Sequence, residues 1–591
     1  MPYDGLVMAA VGSELKDKLI GARIEKIYQP LREELAITVS KPKERYKILI
    51  SANATNARIH TTASSKPNPA TPPLFCMVLR KHLEGGRILA VSQPGLERVL
   101  HLTIDTRDEL GRSAPKTLVV EVMGKHSNII LIDNQSNCII DGIKRYSHAI
   151  SRHREVLPGR EYVAPPEQQK HSPLGLTEER FFALITQAEL DAKLTDILLS
   201  TFDGFSPRMC RELVYRCDLP LDLTLNHCGE YELRLLWQHF STIGRALDKE
   251  EFAPSLVFNR DGTPKDFAAF ELTQFKNEKI VHGDMNLLLD TFYTHRDYQQ
   301  QLQAKKQSLL TILNRDLSRL KNKLPKYQKS LNEADRGEDY RLYGDLITAH
   351  MYQLTKGLSQ VELVNYYDPE QKSITVPLDK QKTPAQNAQA YFKKYVKAKS
   401  TLEAVTEQLQ QAKEELNYLE SVDTTIRQAT TLEDLEEIKL EMAAQGYLKL
   451  EEKKGGKKDK KRDKPQPLPF TSSDGFTILV GKNNRQNDYL TMRYAKENDL
   501  WLHTKDIPGS HVIIRTEGKP VPNQTLEEAA ILAAFHSKAK QSKQVPVDYT
   551  YVKHVHKPNG AKPGMVIYEN QQTVFVTPDE GVVARLTTSD H

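Results

Sequence analysis

The chain has 591 residues, of which 82 are Lys or Arg and 77 are Asp or Glu, so its formal net charge is +5. This near balance excludes a histone-like polycation, although it permits local basic surfaces. With 39% hydrophobic and 27% charged residues, the chain is expected to fold into several domains, since one domain usually takes about 100–200 residues.

The sequence gives no indication of export or membrane insertion. No apolar run approaches the roughly 20 residues that span a bilayer, and Asp4, with no early Lys or Arg, argues against a signal peptide. The cysteines are odd in number and form no C-x-x-C pair, which argues against a disulfide framework and a zinc finger. We therefore expect a cytoplasmic protein without membrane contact. The cysteines are Cys76, Cys138, Cys210, Cys217 and Cys228.

The N-terminal part is predicted to be rich in β-strands. Short runs, several of them alternating between apolar and polar residues, favour strands: ARIEKIY, ELAITVS, YKILISA, RVLHLTI, TLVVEVM and NIILI. Between them, LFCMVLRKHLEGG predicts a helix that is closed by Gly85 and Gly86. A proline-rich polar segment at 157–173 resembles a linker. We therefore predict an α+β domain over residues 1–172.

Residues 173–284 are predicted to form a helical domain. Two helices flank a tight turn at residues 203–207 (DGFSP), where Ser206 is expected to cap the second helix and Pro207 to occupy its first position. Such a turn can present backbone N–H groups to a phosphate. An ordinary helical hairpin is the alternative interpretation.

Two heptad seams predict a helical arm over residues 285–446, with an insert at 332–384. Pro325 interrupts the first seam and is expected to kink it. An antiparallel arm within one chain, about 60 Å long for roughly 40 residues, is favoured over a parallel dimer because both seams lie in one chain. Inside the insert, a β-hairpin is expected to turn at 368–371. The seams are Leu310, Leu313, Leu317, Leu320, Leu324, Tyr327 and Leu331, then Tyr391, Tyr395, Ala398, Leu402, Val405, Leu409, Ala412, Leu416 and Leu419.

A lysine-rich segment separates the arm from a last domain. The sequence EEKKGGKKDKKRDKPQP (451–467) contains no apolar residue and predicts a mobile linker over 447–467. Residues 468–591 are predicted to form an α/β domain, with strands at FTILV, HVIIR, TYVKHVH, MVIYE and TVFVT and a helix at LEEAAILAAFHSKAKQS.

The sequence contains no recognisable catalytic motif. There is no P-loop, H-E-x-x-H, G-x-S-x-G or kinase motif set, and the histidines lack metal-ligand spacing. We therefore predict no catalytic residue, no metal and no cofactor. Glycine-punctuated polar motifs instead suit contacts with RNA, or are simply turns, and Trp501 is a candidate for stacking on a base. These motifs are ISANATNARIH, GLERV, EVMGKHSNIIL, GKNNRQNDYLT and NDLWLHTKDIPGSHVIIR.

In these motifs the chain resembles the RqcH/NEMF family of NFACT-domain ribosome quality-control factors, whose bacterial members were formerly called fibronectin-binding proteins. The resemblance covers the whole chain and implies a first domain similar to formamidopyrimidine-DNA glycosylase, followed by a helix-hairpin-helix-like domain. The motifs that carry it, in family order, are MPYDGL, LFCMVLRKHLEGGRI, GLERV, EVMGKHSN, GFSP, NAQAYFKKYVKAK, GKNNRQND and DLWLHTKDIPGSHV.

The resemblance implies a role in rescuing stalled ribosomes. Family members bind obstructed large (50S) ribosomal subunits that carry peptidyl-tRNA, recruit alanyl-tRNA and direct alanine tailing of the nascent chain without mRNA, which marks the chain for degradation. The ribosome's peptidyl-transferase centre makes the bonds, so the protein is expected to position tRNA rather than to be an enzyme. Implied partners are rRNA, the stalk base, the nascent chain and a small RNA-binding quality-control protein, with a monomer on the ribosome.

The resemblance also implies binding residues. The family's tRNA-contacting Asp-Arg pair corresponds here to Glu97 and Arg98, and because adjacent strand residues face opposite sides, a bend or bulge must re-aim one of them. A surface pair in which Glu97 orients a cation is the alternative. Further residues implied for tRNA are Glu121, Val122, Lys125, His126 and Asn128; those implied for RNA or ribosome contact are Asn484, Asn487, Asp488, Trp501, His503, Lys505 and His511.

Two other functions are considered. A DNA-glycosylase-like repair protein would share the Met-Pro start, but here Pro2 is followed by Tyr3 instead of a glutamate, and a four-cysteine zinc finger is lacking. A surface adhesin that binds fibronectin would need export, for which the sequence shows no signal.

Overall fold

The computed structural model describes residues 3–107, 110–149, 153–449 and 466–586. The chain forms two compact units, residues 1–299 and 300–591. In the described ranges, no helix combines the length and apolarity that crossing a bilayer requires. The lysine-rich linker predicted over 447–467 lies largely outside the described residues, since positions 450–465 are not among them.

A large antiparallel sheet dominates the first unit. Its strands follow the order β4-β3-β2-β1-β5-β6-β7-β8-β9, and α1 and α2 contribute to the same core. The six predicted strands and the predicted helix α2 are confirmed; helix α1 and the short strands β4, β5 and β9 are additional. The elements are α1 (Gly5–Leu19), β1 (Arg23–Leu31), β2 (Glu34–Lys41), β3 (Glu44–Ser51), β4 (Arg58–Thr61), α2 (Leu74–Leu83), β5 (Arg87–Ser92), β6 (Val99–Asp105), β7 (Lys116–Glu121), β8 (Asn128–Asp133) and β9 (Cys138–Gly142).

The second half of this unit is helical, as predicted, and then adds a small sheet. Ser206 accepts a hydrogen bond from the Met209 N–H (3.4 Å), and Pro207 occupies the first turn of α5, so the predicted cap is confirmed. The three-stranded sheet, in the order β11-β10-β12, was not predicted, because strands this short carry too little alternation. The elements are α3 (Glu178–Ile185), α4 (Leu194–Thr201), α5 (Pro207–Arg216), α6 (Glu230–Asp248), β10 (Ser255–Phe258), β11 (Pro264–Ala268) and β12 (Lys279–His282).

Two long helices, α7 and α9, carry the heptad seams. In the second unit, Leu313, Leu317 and Leu320 of α7 share one apolar core with Leu419 and Val422 of α9. Helix α7 is continuous through Pro325. The coiled-coil arrangement of the arm remains a prediction. The predicted hairpin is confirmed. The elements are α7 (Met285–Ala334), α8 (Gly337–Ala349), β13 (Gln360–Val364), β14 (Ser373–Pro377), α9 (Pro384–Gln428) and α10 (Leu432–Ala444).

The last domain is a six-stranded antiparallel sheet in the order β15-β16-β18-β17-β19-β22, packed against α12. Helix α12 ends at Phe535, seven residues before the predicted end at Ser542. The elements are β15 (Leu468–Thr471), β16 (Thr477–Val480), α11 (Asn484–Tyr489), β17 (Leu500–Thr504), β18 (Val512–Ile514), α12 (Asn523–Phe535), β19 (Val545–Tyr551), β20 (Val555–His556), β21 (Ile567–Tyr568), β22 (Gln572–Val576) and α13 (Glu580–Leu586).

Candidate nucleic-acid interface

A polar cleft of about 190 Å³ lies in the first unit, where three distant segments meet. These segments are the start of α1, the turn between β5 and β6, and the turn before α5. Most of the lining side chains are charged or hydrogen-bonding groups. The lining residues are Asp4, Gly5, Leu96, Glu97, Arg98, Gln168, Lys170, Leu199, Asp203, Gly204, Phe205, Ser206 and Pro207.

The floor of this cleft depends on the close approach of two backbone segments. The N–H groups of Gly5 and Leu6 donate to the Gly204 carbonyl at 3.1 and 3.3 Å. A Cβ on Gly5 would lie 1.9 Å from the Leu96 carbonyl oxygen and 2.6 Å from the Gly204 Cα. Gly204 has a φ of +85°, which favours glycine. Both glycines are therefore required by the packing of these turns.

The structure places Glu97 and Arg98 side by side in the cleft. Both lie in the turn that precedes β6, where the Glu97 N–H donates to the Pro94 carbonyl at 3.1 Å. This turn supplies the bend that the sequence required for two adjacent residues to share a site. Burial, followed by the nearby charge of Asp203, raises the pKa of the Glu97 carboxyl. Each of these two side chains is half-buried and accessible from the cleft.

Asp4 connects the cleft to helix α1. Its carboxylate accepts a hydrogen bond from the Val7 N–H at 2.9 Å and caps the helix. Burial raises the pKa of Asp4 to about 6, although Ser206 and Arg98 act in the opposite direction. The cleft therefore holds three carboxylates, Asp4, Glu97 and Asp203, beside two cations, Arg98 and Lys170.

The second predicted pair lies at the same end of the sheet. Val99 pairs with Glu121 across β6 and β7, and the Val122 N–H donates to the Arg98 carbonyl at 2.8 Å. In the turn that follows β7, Lys125 and His126 are exposed. These two side chains are thus accessible to a ligand, and their contact with tRNA stays a prediction.

Three other predicted contact residues are buried, which corrects their expected role. Glu121 is fully buried and its carboxylate accepts bonds from the Arg154 guanidinium at 2.5 and 2.7 Å. Val122 is in the core, and the buried Asn128 donates to the Lys144 carbonyl at 2.9 Å. In this structure their side chains hold the sheet end together and leave no surface for tRNA.

The motifs of the last domain form a packed interior. Trp501 is fully buried against His503, His511 and Tyr568, with ring centroids 4.8 to 5.8 Å away. No face of the indole is open to a base, so the predicted stacking is replaced by packing. Burial lowers the pKa of His503 to about 4 and moves the pKa of His511 well below its ordinary value. Both rings are therefore neutral at pH 7.

The asparagines of GKNNRQND are also internal. Asn484 accepts from the Ser421 hydroxyl at 2.6 Å and donates to Glu441 at 3.1 Å. Asn487 accepts from the His511 N–H at 3.1 Å. Asp488 accepts from the Gly564 N–H at 3.0 Å and pairs with Lys557.

Among the site residues implied in this domain, Lys505 alone is an exposed cation. In the described part of the chain, no group of three His, Cys, Asp or Glu side chains is arranged to hold a metal ion. The sequence motifs do not indicate Lys170 or Asp203 as cleft residues, although the DGFSP turn is a candidate for presenting N–H groups to a phosphate. The position of Asp203 within that turn was the available signal.

Comparison with known proteins identifies relatives along the whole chain. A family model described as NFACT N-terminal and middle domains matches residues 4–462, and one described as NFACT protein RNA binding domain matches residues 467–570. The chain is 41% identical to the Rqc2 homolog RqcH of Bacillus subtilis (strain 168), covering 100% of both chains. It is 36% identical to the Rqc2 homolog RqcH of Streptococcus suis (strain 05ZYH33), covering 98% of this chain and 99% of the relative. The human ribosome quality control complex subunit NEMF is 21% identical, covering 91% of this chain and 56% of the relative.

Proposed function

Since the chain belongs to the NFACT family, we propose that it is a ribosome quality-control factor of the cytoplasm. In this proposal it binds large (50S) ribosomal subunits that are obstructed by peptidyl-tRNA, recruits alanyl-tRNA and directs alanine tailing of the stalled nascent chain. The 41% identity along the entire length to a protein named Rqc2 homolog RqcH supports this assignment.

The cleft beside Arg98 is the part of the structure that we assign to tRNA recognition. Its lining combines carboxylates with an arginine and a lysine. A run of phosphates would be repelled by the carboxylates, whereas an unpaired base edge offers both donors and acceptors. We therefore assign the cleft to a base of the recruited tRNA, with Glu97 accepting and Arg98 donating. The exposed Lys125 and His126 are assigned to adjacent phosphates.

The proposed chemistry needs no catalytic side chain in this protein. The peptidyl-transferase centre of the ribosome forms each peptide bond, and the protein contributes by holding the incoming tRNA in place. Positioning of two reactants can supply about 7–11 kcal/mol of a reaction barrier without a reacting group from the positioning protein. The stalk base and a small RNA-binding quality-control protein are proposed as further partners.

A stalling reporter tests this function. Cells that express a reporter without a stop codon, with and without this protein, would be compared by mass spectrometry of the reporter's C-terminus. We expect added alanines when the protein is present and their loss when it is deleted. Tails of a different amino acid would show that a tRNA other than alanyl-tRNA is recruited. A reporter without a tail in both strains would contradict the proposal.

A further inference from the structure

The turn that follows α12 carries an unusually one-sided charge. Residues 536–547 contain three lysines and no acidic residue. Lys538, Lys540 and Lys543 are all exposed. We call residues 536–544 the lysine turn.

The lysine turn is held in a defined conformation by its small residues. The Ser537 hydroxyl donates to the Ala534 carbonyl at 2.8 Å and accepts from the Ala539 N–H at 3.0 Å. Ser537 and Ala539 are buried and alternate with the exposed Lys538 and Lys540. These hydrogen bonds and the burial of Ser537 and Ala539 hold the backbone of the turn. The backbone that carries the lysines therefore loses less conformational freedom on binding.

The glycine motif of the last domain docks on this turn. The Lys538 N–H donates to the Pro508 carbonyl at 2.9 Å, and the Ser510 N–H donates to the His536 carbonyl at 3.1 Å. A Cβ on Gly509 would lie 2.9 Å from the Ser537 Cβ, so only glycine permits this approach. Gly509 and Ser510 thus pack against the lysine turn.

The docked loop brings a fourth lysine to the same region. Lys505 is exposed, and its N–H donates to the Pro546 carbonyl at 2.9 Å, just beyond the lysine turn. Lys538 pairs with Glu420 at 3.0 Å, and the Lys540 ammonium lies 3.8 Å from the centre of the Phe535 ring. Asp506 is the acidic neighbour of Lys505 in the loop.

We propose that Lys505, Lys538, Lys540 and Lys543 form a binding site for the phosphate backbone of structured RNA. Lysine ammonium groups bind phosphates as point charges, without reading sequence. RNA is favoured over an acidic peptide because residues 467–570 match the model described as an RNA binding domain. In its polar motifs, Trp501, His511 and the asparagines are buried, whereas Lys505 is exposed. This inference rests on the proposed function, which supplies RNA as the partner. It assigns the RNA contact to the four exposed lysines instead of the buried Trp501.

A salt titration of RNA binding tests the site. The full-length protein would be titrated against a fluorescein-labelled 20-base-pair RNA duplex at several salt concentrations. The variant K538Q/K540Q/K543Q is expected to bind at least tenfold more weakly, and the slope of log affinity against log salt should fall by roughly 2–3, since each phosphate contact contributes about 0.7–0.9. The control K26Q/K43Q/K249Q removes the same charge from exposed sites of the first unit and should bind like the unmodified protein.

A second measurement does not depend on substitutions. Acetylation of the unmodified protein by an N-hydroxysuccinimide ester, with and without the duplex, should show protection of the four lysines of the site and not of Lys26 or Lys43. Equal loss of affinity in both triple variants, or unprotected site lysines in the complex, would overturn the site. If K538Q/K540Q/K543Q bound the duplex as tightly as the unmodified protein and still associated with tRNA and 50S subunits, the lysine site would be refuted and the proposed function would stand. If the unmodified protein bound neither duplex nor tRNA, the proposed function would fail as well.

Discussion

Arg98 is the single residue on which the tRNA proposal depends most. It lines the cleft in the first unit together with Glu97 and Lys170. Truncation of a central arginine at an interface typically costs about 2 kcal/mol or more, or roughly thirtyfold in affinity. We expect Arg98→Ala to lose tRNA and to retain 50S subunits in co-sedimentation and filter binding. Arg32→Ala, an exposed arginine of the same unit, is the matched control, and unchanged tRNA recovery with Arg98→Ala would contradict the assignment.

Glu121 shows what sequence reasoning at the residue scale misses. The resemblance marked it as a contact residue, whereas its partner Arg154 lies 33 positions further along the chain, and nothing in the local sequence reveals that pairing. The same holds for Trp501 and Asn484, whose polar groups point inward because distant segments cover them. Glu97 and Arg98 lie half-buried in one cleft because a short turn precedes β6, and their contact with tRNA stays a prediction.

Removing one member of the buried Glu121–Arg154 pair should destabilise the first unit. Glu121→Ala leaves the guanidinium buried without its partner, which typically costs about 3–5 kcal/mol. Glu121→Ala combined with Arg154→Met removes both charges and should recover part of this loss in urea unfolding. If Glu121 instead contacted tRNA directly, Glu121→Ala would reduce the affinity for tRNA and leave the free energy of unfolding unchanged.

Helix α1 and the two turns beside it define the cleft at the scale of elements. Apolar periodicity and capping residues are local signals, and they predicted the long helices α7 and α9, the Ser206 cap and most strands. Helix α1 and its Asp4 cap were not predicted. Strands β4, β5, β9, β15 and β17, the small sheet β10–β12 and the early end of α12 were not predicted. In the last case the Ser537 hydroxyl takes over hydrogen bonds that would have continued the helix.

Gly5→Ala tests whether the start of α1 must approach the turn at Leu96. The new methyl group would overlap the Leu96 carbonyl oxygen, and such overpacking typically costs about 1–3 kcal/mol. Gly12→Ala on the same helix meets only a Leu100 methyl group at 3.3 Å and gains helix propensity, so it should be nearly neutral. We expect thermal unfolding to show this difference and tRNA binding to weaken for Gly5→Ala. Equal stability of the two variants would contradict the packing argument.

At the scale of the whole molecule, partly buried histidines should make stability depend on pH. Burial lowers the pKa of His503 and His536 to about 4. Because the unfolded chain binds protons near the ordinary value of about 6.5, stability is present at neutral pH and is lost as the pH falls from about 6.5 towards 4. Each such histidine contributes a slope of about 1.4 kcal/mol per pH unit.

Tryptophan fluorescence can follow this pH effect in the last domain. The chain has two tryptophans, so Trp237→Phe leaves Trp501 as the reporter for urea unfolding at pH 7, 6 and 5. In that background His536→Gln should flatten the pH dependence, and the exposed His556→Gln should not. An identical slope in both variants would show that burial of His536 is not the cause.

The whole protein is proposed to bind large ribosomal subunits and alanine tRNA in the cell. The most direct measurement is a tagged pull-down followed by sequencing of the copurified RNA, with Arg98→Ala in parallel. We predict large-subunit rRNA without small-subunit rRNA, together with alanine tRNA that is lost in the Arg98→Ala sample. Recovery of no rRNA at all would contradict the assignment to ribosome quality control.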